Sequence, residues 1–180
     1  MKDFEYYREC FANLHTAKAR KLPAPHKPLL LLSIIDLVER GVVTSHRIEL
    51  SDALIRMFKS NANRMIGHSV IFRPNIGQPF YHMQFEPFWQ LRPKRVEMHS
   101  AVAAETRGDY GPKKVTYSIK GLRENYECAI IDKELFDLLQ NEDVRAKLRT
   151  ALISQYLAPQ PNSISPLATI PMLLALSFIA

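Results

Sequence analysis

PAPHKPLLLLSIIDLVERG (residues 23–41) is the stretch on which the reading of this chain turns. Leu29 to Ile35 is an apolar run, and it meets Asp36, Glu39 and Arg40 before Gly41. The run is too short to span a bilayer. It reads as a helix, with Pro28 suited to its first turn and Gly41 to its C-terminal cap. A helix apolar nearly all round is buried on every side, so this one is expected at the centre of the core. His26 and Lys27 then fall at its N-terminus, framed by Pro23, Pro25 and Pro28.

The 180 residues suffice for one domain with a real core, or one domain and a tail. The net charge is +6, and its placement is more informative than its size. Between Cys10 and Ile35 there is no acid, while Lys18, Arg20, Lys21 and Lys27 are basic. From Arg56 to Arg95 there are seven Lys or Arg and one acid, Glu86. Residues 101–150 carry nine of each sign, so the positive excess lies in the first hundred residues. That is the footprint expected of phosphate binding, or else a solvated basic face. The two cysteines, Cys10 and Cys128, form no CxxC and signal neither a zinc knuckle nor a disulfide framework. MKDFEYYREC places acids and aromatics where a signal peptide needs an apolar centre, so a cytoplasmic location is expected.

Outward from the central helix, DFEYYRECFANL puts Phe4, Tyr7, Phe11 and Leu14 on one helical stripe. Ser51 can cap a third helix, DALIRMFKSNA. In SVIFRPNIGQPFYHMQFEPFWQLRP the flanks are strand-like around a Pro-Asn-Ile-Gly-Gln-Pro turn. GDYGPKK reads as a turn and VTYSI as a strand; Asp132 and Asn141 can each cap a late helix. Residues 158–180 hold four prolines between Pro159 and Pro171 and read as a linker or truncated tail. The fold class expected is α+β and mainly helical: a helical domain with a small antiparallel sheet, winged-helix-like.

Catalytic patterns are scarce. None of the six histidines pairs with another His, a Cys or a carboxylate at metal-ligand spacing, and there is no GxSxG, Walker A loop or GxGxxG. No catalytic residue, metal or cofactor is expected, and a binding module is favoured over an enzyme. One candidate site is His26 and Lys27, at a helix end whose dipole favours anions. The other is FRPNIGQPFYHMQF, in which Arg73 can reach a phosphate or guanine edge, and Asn75, His82 and Gln84 can bond bases. Phe72, Pro74, Gly77, Pro79 and Phe80 are interleaved with them and can make a small dry pocket. The competing view has the aromatics as core and the prolines as turn punctuation, and for Phe80, Phe85, Phe88 and Trp89 the core is the place expected.

Together, PHKPLLLL and GQPFYHMQFEPFWQL about fifty residues later resemble the sulfur-binding domain of phosphorothioate-dependent restriction endonucleases of the type IV, McrA-like group. DKELFDLLQNEDVRAKLRTALISQYL is similar to the helices that close that domain before an HNH nuclease. The resemblance covers about residues 1–157. It implies a mainly helical reader of double-stranded DNA in which sulfur replaces a non-bridging phosphate oxygen. His26 and Lys27 match the basic pair that grips the backbone. Pro74 and Gly77 match the sulfur cavity, with Arg73 where an aromatic is expected, so Phe72, Pro79 or Tyr81 would complete the wall. Base contacts would fall near Tyr81, His82 and Gln84. No second His-rich segment follows Tyr156, so the chain reads as the specificity module of a restriction system without its nuclease, which a partner chain or HNH domain would supply.

Burying sulfur against carbon gains about as much as one CH₂, roughly 0.8 kcal/mol. Burying an unpaired oxygen there costs more, on the order of 1–3 kcal/mol, so such a pocket selects chiefly by rejecting oxygen. Two other readings stand beside this one. One is a DNA enzyme with an unrecognised site; the other is a general winged-helix-type DNA-binding or interaction domain without modification specificity.

Overall fold

The computed structural model describes residues 2–19, 22–66, 73–94 and 117–157. The proline-rich tail, GDYGPKK, Phe72 and the first two residues of VTYSI lie outside them. The fold is α+β and mainly helical, with a small three-stranded antiparallel sheet.

The central helix, α2 (His26–Glu39), is buried from Lys27 to Val38. Its C-terminus is closed as the sequence predicts. Gly41 adopts φ +66, its N–H donates to the Val38 carbonyl, and the Val42 N–H donates to that of Leu37. This is a Schellman cap, whose left-handed residue glycine reaches without a Cβ clash. At the start of α2, Pro25 is the N-cap and Pro28, in the first turn as expected, is the third helical residue. The first four amides of a helix have no intrahelical acceptor, so prolines at two of those positions leave fewer donors to satisfy.

The other elements wrap this helix. α1 (Phe4–Ala12) is capped by Asp3, whose carboxylate accepts from the Tyr6 N–H, and packs against α7 (Glu142–Leu152) and α6 (Lys133–Leu138). A short hairpin, β1 (Lys18–Ala19) and β2 (Leu22–Pro23), leads into α2. α3 (Asp52–Ile66) is capped by Ser51 as predicted, and it runs past Ala62. A buried polar seam joins it to α2. Asn61 Nδ2 donates to Ser33 Oγ at 3.2 Å and to Asp36 Oδ2 at 2.8 Å, and Arg149 of α7 donates to Asp36 Oδ1 at 2.8 Å. Buried polar groups with such partners avoid the cost of desolvation without a hydrogen bond.

β3 (Arg47–Ile48), β4 (Trp89–Pro93) and β5 (Tyr126–Ile131) form the sheet in the order β3-β5-β4. From α2 to β5 the described elements run helix, strand, helix, helix, strand, helix, strand, with α5 (Ile119–Asn125) between β4 and β5, and the last strand sits between the first two, a winged-helix-like order. β5 has no counterpart in the sequence reading. Of the residues read as the strand VTYSI, Ser118 instead caps α5 through the Gly121 N–H and Ile119 begins that helix. Asn141 caps α7 as predicted. The Asp132 side chain does not cap α6; it accepts from Tyr7 Oη at 2.9 Å and Lys2 Nζ at 2.7 Å, tying the chain's start to the helix α6.

The segment read as a turn between strands is corrected most. Gly77 to His82 is a short helix, α4, followed by a 3₁₀ turn, Met83–Phe85. Pro79 occupies its first turn, where a missing N–H costs nothing. Gly77 is buried because the chain passes over it. A Cβ there would lie 1.8 Å from the Tyr117 carbonyl oxygen. Gly77→Ala is therefore expected to lose about 1–3 kcal/mol of stability, as overpacked sites do. Urea denaturation checks this, and an unchanged midpoint would mean that the two backbones do not pack this closely.

Candidate functional site

A cleft of about 590 Å³ lies where three segments meet. The loop after α1 contributes His15, Thr16 and Ala17, the approach to α2 contributes Ala24, His26 and Lys27, and α4 with its following turn contributes Gln78, Pro79, His82 and Phe85. The two sequence-distant stretches singled out above thus share one cavity.

One carboxylate joins these segments. Glu86 is 3% exposed and stands at the end of the 3₁₀ turn. It forms a salt bridge with Lys27, itself 7% exposed. The other ties come from the first loop: the His15 N–H donates to Glu86 Oε1 at 3.1 Å, and His15 Nδ1 lies 3.3 Å from Oε2. A carboxylate buried with one cation and two further donors recovers much of its lost hydration. The same loop is held from the other side by Tyr156, which donates to the Ala12 carbonyl and accepts from the Leu14 N–H.

Lys27 is therefore not the exposed point charge expected from the sequence. Its ammonium is spent locally, because burial in a low-dielectric interior requires a counter-charge. His26 stands beside it, and its Nε2 lies 2.9 Å from the Arg73 carbonyl. A carbonyl can only accept, so Nε2 carries the proton. This bond ties the PHKP stretch to the FRPNIG stretch.

The other predicted site residues divide between the cleft and its surroundings. Pro79 and His82 line it. The Arg73 side chain and Pro74 are exposed and lie outside its lining. Asn75 is exposed too, but its Oδ1 accepts from the Gly77 N–H at 2.9 Å, a turn that starts α4. Gly77 offers no surface, being covered by Tyr117. Tyr81 and Gln84 are half-buried outside the cleft, with Tyr81 in a ring cluster with Tyr117 and Tyr126. Phe72 is not among the described residues. Phe80, Phe88 and Trp89 are core as expected, whereas Phe85, also expected in the core, is 64% exposed, its ring stacked on His82 at 6.1 Å between centroids.

His15, Gln78, Phe85 and Glu86 were not among the predicted site residues. Glu86 had one signal, its solitude as the lone acid between Arg56 and Arg95. A single acid in a basic stretch that enters the core needs a cation there. Among the described residues no group of three His, Cys, Asp or Glu side chains could hold a metal ion, and no helix is long and apolar enough to cross a membrane. Compared with known proteins, the chain matches no family model and no curated sequence.

His82 titrates below the ordinary imidazole value of 6.5, first because burial disfavours its charged form and second because the Lys27 ammonium repels it. The unfolded chain, with an ordinary imidazole, then binds the proton more readily than the folded one. Protonation of His82 thus favours unfolding. Its contribution is constant above pH 6.5 and turns unfavourable as pH falls through the lowered folded value. An NMR titration of the ring protons should place the His82 midpoint below 6.5. A midpoint at or above that value would contradict the burial beside Lys27.

Proposed function

We propose that this chain is a DNA-binding domain that reads phosphorothioate-modified double-stranded DNA, the specificity module of a restriction system rather than its nuclease. The observation that carries the reading is the convergence of PHKP and GQPFYHMQF on one cleft, bridged by the His26–Arg73 hydrogen bond and the Lys27–Glu86 salt bridge. The excess of basic residues in the first hundred positions supports it, since phosphate contacts supply affinity for any DNA.

The roles follow from exposure. Arg73, exposed beside the cleft, contacts the backbone. His82 donates or accepts at the bound linkage or at base edges, and His26 holds the Arg73 backbone in place. Pro79, with Ala17 and Ala24 across the cleft, offers carbon surface on which sulfur loses little and an oxygen would lose its hydration. Gly77 keeps α4 close to the Tyr117 backbone and so sets where Pro79 and His82 stand.

One observation favours a second reading, general DNA binding without sulfur selectivity. Lys27, assigned to the backbone grip, is neutralised by Glu86, and Gly77, assigned to the sulfur cavity, is covered, so neither faces DNA as a bare group. Binding constants for a phosphorothioate duplex and the same unmodified duplex, taken at several salt concentrations, separate the two. Sulfur reading predicts at least about tenfold tighter binding to the modified duplex at every salt concentration. Equal affinities would leave only general DNA binding, and no binding to either duplex would end both readings.

A further inference from the structure

The cleft is far larger than one sulfur or oxygen atom requires. At about 590 Å³ it falls within the range of roughly 300–1,000 Å³ typical of pockets for whole small ligands. Its floor is electrically balanced, because the Lys27 charge is matched by buried Glu86. A balanced cleft with a few donors and acceptors fits a neutral, planar, polar-edged ring better than an unshared anion. At its edge Phe85 presents an aromatic ring that the core does not use. It is 64% exposed, and it rests on His82, which in turn lies against Tyr117 at 5.0 Å. Large exposed apolar side chains are few here; among the described residues only Val42 shares this state.

We infer that the cleft receives a nucleobase turned out of the duplex, stacked on the Phe85 ring, with Gln78 bonding its edge. The inference rests on the proposal that the chain binds DNA. It does not rest on sulfur selectivity. Every base has a π face, so stacking on Phe85 tolerates any sequence, while Gln78 offers both a donor and an acceptor to the base edge. His82 behind Phe85 is a support for the ring, and its lowered basicity keeps a neutral imidazole there at physiological pH. Turning a base out costs its pairing and stacking, and that cost is least where the base is already mispaired.

The test compares fully paired, singly mismatched and abasic duplexes, each with a phosphorothioate or an ordinary backbone, against wild type, Phe85→Ala and Phe85→Trp. Phe85 is exposed, so neither substitution disturbs the core. Wild type is expected to bind the mismatched duplex about fivefold tighter than the paired one, within each backbone. Phe85→Ala should lose this gain and Phe85→Trp should keep it. The abasic duplex should bind more weakly than the mismatched one, because no base remains to fill the cleft. Equal binding to paired and mismatched duplexes would overturn the inference. So would a gain that survives Phe85→Ala, or abasic binding as tight as mismatched, which would make Phe85 a wedge between bases instead. A mismatch gain without preference for sulfur would sustain this inference and defeat the sulfur reading alone. Absence of binding to every duplex would defeat both.

Discussion

The salt bridge between Glu86 and Lys27 is the constraint around which the cleft is built. Both groups are almost fully withdrawn from water, so each depends on the other. Glu86 enters from the turn before β4, and Lys27 enters from the first turn of α2. Because His15 bonds the same carboxylate, the loop after α1 is drawn to that point too. An ion pair of this kind is weak evidence for stability, since its desolvation cost offsets most of the attraction. Its consequence is positional. The loop at His15, the start of α2 and the distant turn at Glu86 can approach only in the arrangement that satisfies one carboxylate, and the cleft is the space left above them.

The same constraint explains what the surface offers to a ligand. The net charge of +6 would attract any polyanion. The cleft floor is different, being matched in charge, with apolar walls at Pro79, Ala17 and Ala24. Under the proposed function, phosphate contacts made outside the recess would supply affinity, and the recess would supply selectivity.

The central helix was legible in the sequence because it is apolar on every side and punctuated by proline and glycine, signals that do not depend on the rest of the fold. The caps at Ser51, Gly41 and Asn141 were legible for the same local reason. α4 was not. Its six residues are too few to show a period, and its glycine and proline carry the marks of a turn. Gly77 is there for the close passage of Tyr117, which no local pattern announces. β5 hid for a related reason: Cys128, Ala129 and Ile131 are all buried, so its burial does not follow a simple alternation. Asp132 could cap a helix by its type and position, yet Tyr7 and Lys2 claim its carboxylate. At the site, His26, Lys27, Pro79 and His82 were found from residue chemistry and resemblance. The partnership that buries Lys27 spans fifty-nine residues and leaves only the oddity of one acid in a basic stretch.

The clasp itself is tested most directly by a mutant cycle read in urea denaturation. Lys27→Met alone leaves the Glu86 carboxylate buried without its cation, and a loss of about 3–5 kcal/mol is predicted. Adding Glu86→Gln removes the stranded charge while keeping an acceptor for the His15 N–H, so most of that loss should be recovered. A Lys27→Met loss below about 1 kcal/mol, or losses from the two substitutions that simply add, would contradict the claim that this pair organises the cleft.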